Sequence, residues 1–219
     1  MRRRLYLMRH AEVAYFDEDG RPFDPVNVPL TAAGVEQARA AASVLAGVEF
    51  DRVLTSGLPR AVETARIVAP DARPEVWPEL TELRGGRLSA IREDELEAVF
   101  TRAFQGVVPS EARFLGGETI GALLDRVVPA VERLAGEPGW DTTLAVLHGG
   151  VNRAILSFAL TGERRFLGGL EQAPACLNVL DLGEDWIVRA VNTVPYDLAH
   201  AAGRLTTIEE LFRQYRPLR

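Results

Sequence analysis

A three-layer α/β/α fold with a mostly parallel central sheet and a small helical cap insertion is the architecture this sequence predicts. Two observations carry it. Short apolar strands alternate with amphipathic helices along most of the chain, an order that implies strands running side by side in one direction. Three of the strand-to-helix junctions carry histidine, arginine, serine and glycine, and in such sheets ligands bind outside the carboxyl ends of the strands. We expect one domain over residues 1–219, with the insertion at about 87–115.

The elements follow in order. Leu5–Met8 reads as a buried strand, and 13–29, with Pro22, Pro25 and Pro29 and the acidic run Asp17-Glu18-Asp19, as a long loop. Thr31 is placed to cap a helix over 32–46, with Val35, Ala38, Ala42 and Leu45 on one face. Arg52–Leu54 is a second strand, ended by Ser56-Gly57, and a helix from Pro59 to Ala69 uses its proline in the first turn. Residues 71–86, with Pro74, Pro78 and Gly85-Gly86, read as irregular. Leu96, Val99, Phe100, Ala103 and Phe104 recur at helical spacing inside 87–115, the segment expected to lie over the sheet. Thr119–Ala135 is a strongly amphipathic helix, with Pro129 as a candidate kink. Thr143–Leu147 is a strand, His148-Gly149-Gly150 a turn and 151–161 a helix. Leu177–Leu182 and Trp186–Val191 form a hairpin, and 206–215 a last helix with Thr207 and Glu210 as a candidate capping box.

Composition narrows the function classes. The net charge of −6 argues against a broad nucleic-acid surface, yet a pocket for a small anion needs only a few local cations. No apolar run approaches the roughly 20 residues needed to span a bilayer. The apolar stretch after Arg2-Arg3-Arg4 is too short for a signal sequence, and the single cysteine, Cys176, reads as a buried small hydrophobe. These features lead us to expect a cytoplasmic protein without nucleic-acid or membrane partners.

The three junctions are Arg9-His10, Ser56-Gly57-Leu58-Pro59-Arg60 and His148-Gly149-Gly150, and two of the three histidines sit in them. Alone, each has an ordinary reading: a structural histidine, a solvated arginine, a glycine turn. Together they suit phosphate. Two arginines grip phosphate oxygens through forked hydrogen bonds. Glycines at a helix start expose backbone N–H groups to an anion. A neutral imidazole attacks phosphorus, and a second, protonated one would stabilise the equatorial oxygens. Phosphoryl transfer is largely positioning and electrostatics, so these cations would replace a metal, and no cofactor is called for. The leaving oxygen still needs a proton donor, for which a carboxylic acid is suited.

Further phrases carry a resemblance. Leu5-Tyr6-Leu7-Met8-Arg9-His10-Ala11-Glu12, Pro29-Leu30-Thr31 followed by Gly34 and Gln37-Ala38, Ser56 with Arg60 and Thr64-Ala65, Leu80-Thr81-Glu82, Gly116-Gly117-Glu118-Thr119 and Val146-Leu147-His148-Gly149-Gly150-Val151 occur in one order over about residues 5–160. In this the chain resembles the histidine phosphatase, or phosphoglycerate-mutase-like, superfamily. The resemblance implies that His10 is the phosphorylated nucleophile and that Arg9, Arg60 and His148 bind the transferring phosphoryl group, with Gly149 adding its N–H. It implies that Glu82 is the general acid and base, Glu79 being the nearest rival. It implies a metal-independent phosphomonoester hydrolase acting on a small phosphorylated substrate, and it allows monomers and dimers.

The chain departs from the family pattern in places. Ala11 stands where glycine is usual, which would strain a backbone needing positive φ. Val13 replaces a usual Ser or Thr, and the Trp-Asn phrase that commonly follows is absent. The missing Trp-Asn phrase favours hydrolase over phosphomutase, whereas Ala11 and Val13 support only the inactive module. The mutase remains the alternative, with an inactive phosphate-binding module behind it. The substrate is open. Its candidate determinants are 13–29, 87–115 and 162–176. Arg84, Arg87, Arg92, Arg102 and Arg113 are read by default as solvated charges, and Phe100 and Phe104 as packing.

Overall fold

A computed structural model describes residues 2–17, 23–86, 91–101 and 104–215. The elements are β1 (Arg3–Arg9), α1 (Ala32–Leu45), β2 (Arg52–Thr55), α2 (Pro59–Val68), β3 (Glu75–Val76), α3 (Glu93–Thr101), α4 (Ile120–Gly136), β4 (Thr142–Leu147), α5 (Gly149–Thr161), β5 (Leu177–Leu182), β6 (Ile187–Thr193) and α6 (Thr207–Tyr215). Short 3-10 turns occur at Pro78–Leu80 and Phe114–Gly116. The six strands form one sheet in the order β3-β2-β4-β1-β5-β6. Four run parallel; β5 and β6 are antiparallel, the hairpin expected from the sequence.

Alternation along the strands makes the three layers. Leu5 and Leu7 of β1 and Ala145 and Leu147 of β4 share one apolar cluster with α4 and α5. Met8, Leu144 and Val146, one step out of phase, share the other cluster with α1 and α2. Successive side chains of a strand point to opposite faces, so residues two apart serve the same layer. Thr31 caps α1 as expected, its hydroxyl accepting from Gly34 N at 2.9 Å. The buried face of α1 is Gly34, Ala38, Ala41 and Leu45, rotated slightly from the stripe read off the sequence.

The structure corrects several expectations. The 71–86 stretch carries β3, a two-residue edge strand too short to leave a periodic signal. α4 continues through Pro129. α5 begins at Gly149, so the two glycines form its first turn. The capping box of the last helix is Thr206 with Glu209, the Glu209 carboxylate accepting from Thr206 N at 2.7 Å and the Glu209 N–H donating back to Thr206 Oγ1 at 3.3 Å. α3 ends at Thr101, and Ala103 of its expected stripe lies outside the described residues, as do Glu18, Asp19 and Pro22 of the acidic loop.

The Pro29–Ala38 phrase has a physical role. Thr31 N and Oγ1 donate to the Glu12 carbonyl and carboxylate at 3.0 and 2.8 Å, and Glu12 N donates to Gln37 Oε1 at 3.0 Å. The start of α1 thus clasps the chain that leaves β1. Gly34 allows it: a Cβ there would lie 2.3 Å from the Glu12 carbonyl oxygen. We expect Gly34→Ala to lose about 1–3 kcal/mol of stability from this overpacking, measured by urea unfolding. An unchanged midpoint would mean that this clasp is not tight.

Candidate functional site

Strand register brings the three junctions together. Arg9 pairs with Leu147 across β1 and β4, and Thr55 pairs with Val146 across β2 and β4. The next residues, His10, His148 and Ser56, therefore emerge side by side at the carboxyl edge. His10 N donates to the Leu147 carbonyl at 2.9 Å, and the two imidazole centroids are 5.2 Å apart. Arg9, His10, Arg60 and His148 are all buried.

His10 Nδ1 donates to the carbonyl of Ala11 at 2.8 Å, which leaves Nε2 with the lone pair. Arg60 Nε approaches that Nε2 at 3.3 Å, while Arg60 Nη1 donates to the Pro25 carbonyl at 2.8 Å. Burial, with Arg9 and Arg60 close by, holds His10 well below the ordinary imidazole pKa. His148 is depressed likewise, first by burial, then by its charged neighbours. Its Nε2 lies 2.7 Å from Ser56 Oγ, and its Nδ1 is buried without a partner among the described residues. Arg9 Nε is likewise buried and without a partner among the described residues, whereas Arg9 Nη1 donates to the Gln172 carbonyl at 2.6 Å and to Thr207 Oγ1 at 2.9 Å.

Glu82 sits at the start of α5. Its Oε1 accepts from Leu83 N at 2.8 Å and from Gly150 N at 3.1 Å. A Cβ on residue 150 would stand 2.8 Å from that oxygen, so the glycine is what lets the carboxylate reach the helix end. Gly149 lies beside Arg9, where a Cβ would be 3.7 Å from Arg9 Nε. Glu79 instead pairs outward with Arg133 at 3.0 Å. Ala11 does not have a positive φ, and it is buried in the same apolar cluster as Met8 and Ala38, so the anticipated strain does not arise.

Several contributors were not singled out from the sequence. Arg126 on α4 donates to the carbonyls of Glu79 and Thr81 at 2.7 and 2.6 Å, and pairs with Glu118 at 2.8 Å, fixing the segment that carries Glu82. Arg153 on α5 is buried; it pairs with Glu171 at 2.8 Å and stands over the Phe104 ring. A charged residue inside an otherwise apolar helix run was the available signal for it. The third histidine, His200, is exposed in the turn after Asp197.

The surroundings come from distant segments. Phe100 of α3 packs its ring 5.3 Å from Phe212 and 5.8 Å from Tyr215 of α6, and Phe16 lies 6.1 Å from Tyr215. Of the arginines read as solvated, Arg92 pairs with Asp94, Arg113 donates to the Gly117 carbonyl and Arg84 is exposed; Arg87 and Arg102 lie outside the described residues. Among the described residues, no cluster of three or more His, Cys, Asp or Glu side chains is arranged to hold a metal, and no helix is long and apolar enough to cross a membrane.

The protein is thus a three-layer α/β fold with two imidazoles and two guanidinium groups buried together at the carboxyl edge of its sheet. Residues 5–193 match the Histidine phosphatase superfamily (branch 1), and the chain belongs to that superfamily. Among curated proteins it is 29% identical over 200 residues to an adenosylcobalamin/alpha-ribazole phosphatase of Escherichia coli, covering 87% of this chain and 96% of that protein. It is 32% identical over 158 residues to a metal-independent phosphoserine phosphatase of Arabidopsis thaliana, covering 69% and 66%. The crystal structure of an alpha-ribazole phosphatase from Shigella flexneri superposes with a TM-score of 0.67 at 28% identity, covering 86% of this chain and 96% of that one.

The depressed histidines give a pH signature. The unfolded chain takes up a proton near pH 6.5, whereas the folded site resists it, so stability is full above that pH and falls as pH drops below it. Each such histidine contributes a slope of up to about 1.4 kcal/mol per pH unit. We expect His148→Gln to flatten the decline between pH 6.5 and 5, read from unfolding curves along the pH series. Parallel declines would show that His148 already carries its proton in the fold.

Proposed function

We propose that this chain is a metal-independent hydrolase of small phosphomonoesters that works through a phosphohistidine at His10. The observation that carries this reading is the state of His10. Its Nδ1 donates to the Ala11 carbonyl, its bare Nε2 is turned toward Arg60, and burial beside Arg9 and Arg60 lowers its pKa, favouring the neutral ring. A neutral imidazole oriented in this way is a ready nucleophile, and its neighbours are the cations a phosphoryl group needs.

In the proposed reaction His10 Nε2 attacks phosphorus in line and the P–O bond to the leaving group breaks. Arg9, Arg60 and His148 hold the equatorial oxygens, with Gly149 N as a further donor. The unpartnered Arg9 Nε and His148 Nδ1 are donors that a phosphate oxygen would satisfy. Glu82 gives its proton to the leaving oxygen. Water then attacks the phosphohistidine, Glu82 takes the water proton, the P–N bond breaks and inorganic phosphate leaves. Glu79 is unsuited to this role because Arg133 holds it outward. We further propose that 87–115 serves as a cap, supported by the packing of α3 on α6 and by the contact of α6 with Arg9. The names of the relatives support hydrolysis of a small phosphorylated metabolite or amino acid.

The test is phosphate release from an aryl and an alkyl phosphate in EDTA. We expect wild-type turnover to survive the chelator and His10→Ala to lose at least about 10⁴-fold. Glu82→Gln should lose about 10²–10⁴-fold on the alkyl ester and much less on the aryl ester, whose leaving oxygen needs little help. Full turnover by His10→Ala would sink the mechanism.

A further inference from the structure

One wall of the site is made by neither histidine motif. Residues 172–176 run past the end of β1 and bond to it from both sides: Arg9 N donates to the Cys176 carbonyl at 3.2 Å, and Ala175 N donates to the His10 carbonyl at 3.2 Å. The Gln172 carbonyl takes the bond from Arg9 Nη1 at 2.6 Å. A stretch without regular structure needs something to set its course, and Ala175 holds a left-handed backbone (φ 53°), which a non-glycine residue keeps only when its surroundings enforce it.

The enforcing contact is a reciprocal amide pair. Gln172 Nε2 donates to Asn178 Oδ1 at 3.0 Å, and Asn178 Nδ2 donates to Gln172 Oε1 at 2.8 Å. Both side chains are fully buried. Asn178 lies on β5 and is tied to its two flanking strands. Its Nδ2 donates to the Leu7 carbonyl of β1 at 2.9 Å, and its Oδ1 accepts from Asn192 N of β6 at 2.9 Å. Gln172 Nε2 also donates to its neighbour's carbonyl, that of Glu171, at 2.8 Å, and Asn192 Oδ1 accepts from Ala173 N at 2.8 Å. The Asn152 amide, one turn into α5, lies 3.0 Å from Gln172 Oε1, joining the same knot to the helix that follows His148.

Buried amides satisfied this completely fix geometry, since any other placement leaves polar atoms unpaired. We propose that Gln172 is a positioning residue: through its pair with Asn178 it sets the Gln172 carbonyl, and that carbonyl aims the Arg9 guanidinium at the phosphate. The proposal rests on the reading of Arg9 as a phosphate ligand. Arg9 Nη1 has the Gln172 carbonyl and Thr207 Oγ1 as partners while Nε has none, so the carbonyl decides which edge of the fork is left for the anion.

The test separates positioning from general support of the fold. Gln172→Met keeps the side-chain length and leaves Asn178 bonded to Leu7 and Asn192, so the protein should fold. The probe is inorganic phosphate, titrated by calorimetry into wild type, Gln172→Met, Arg9→Ala and the double variant. We expect Gln172→Met to weaken phosphate binding by about tenfold, and to add almost nothing once Arg9 is gone. An unchanged phosphate affinity in Gln172→Met overturns the proposal, and so does a loss that persists in full in the Arg9→Ala background. Should the methionine variant not fold, Gln172→Ala is read in the same cycle by the same criteria. Wild type that binds no phosphate at all would overturn the phosphate-site reading itself, and this proposal with it.

Discussion

Two guanidinium groups and two imidazoles share one buried corner of the sheet, and the rest of the site depends on how that crowding is relieved. Four cations there would repel strongly at low local polarity. Burial and the adjacent arginines lower the pKa of His10 and of His148 alike, which favours neutral imidazoles and relieves the crowding. The arrangement has a chemical consequence. In the reaction proposed above, the arginines that would draw in a phosphate dianion are also the ones that favour an unprotonated His10. A bound dianion would reverse the local field and make protonation of His148 easier, as the proposed role of that histidine requires.

Such a corner stands only if the chain entering and leaving it is held at every step. The clasp between Glu12 and the start of α1 holds the exit from β1, and Gly34 gives it room. Gly150 does the same for Glu82, and Arg126 grips the carbonyls of Glu79, Thr81 and Glu82 in the segment that carries it. The wall at 172–176 holds the remaining side. Each restraint is backbone or fully bonded polar contact, which keeps placement tight without adding another free charge to a site already rich in them.

This division explains what the sequence could and could not disclose. His10, His148, Arg9 and Arg60 were legible because histidine and arginine at strand ends are unusual against an apolar, periodic background, and the β1–β4 register then brings them together. Glu82 was legible from its phrase, and its setting against Gly150 gives the phrase a cause. The helices and the hairpin were legible from periodicity. β3 was not, because two residues carry no period. Gln172, Asn178 and Arg126 were not, because a buried amide or a paired arginine looks in sequence like any polar residue. Only the partner distinguishes them, and the partners lie elsewhere in the chain.

The C-terminal helix shows the same limit from another side. α6 reads as an amphipathic surface helix, and none of its residues is buried. Its apolar side nevertheless meets α3 through Phe212 and Tyr215, and its first residue, Thr207, touches both Arg9 and Glu171. Glu171 in turn pairs with Arg153, one turn into the helix that follows His148. A chain of polar contacts therefore runs from α6 through Glu171 to the helix that follows the second histidine, while an aromatic contact runs from α6 to α3. The helix contributes little core, yet it touches α3, Phe16 and Arg9 at once and so sets how they stand relative to one another. In the proposed reaction, variation in α6 and α3 would therefore alter the surroundings of the leaving group, while the buried corner of histidines and arginines stays the same.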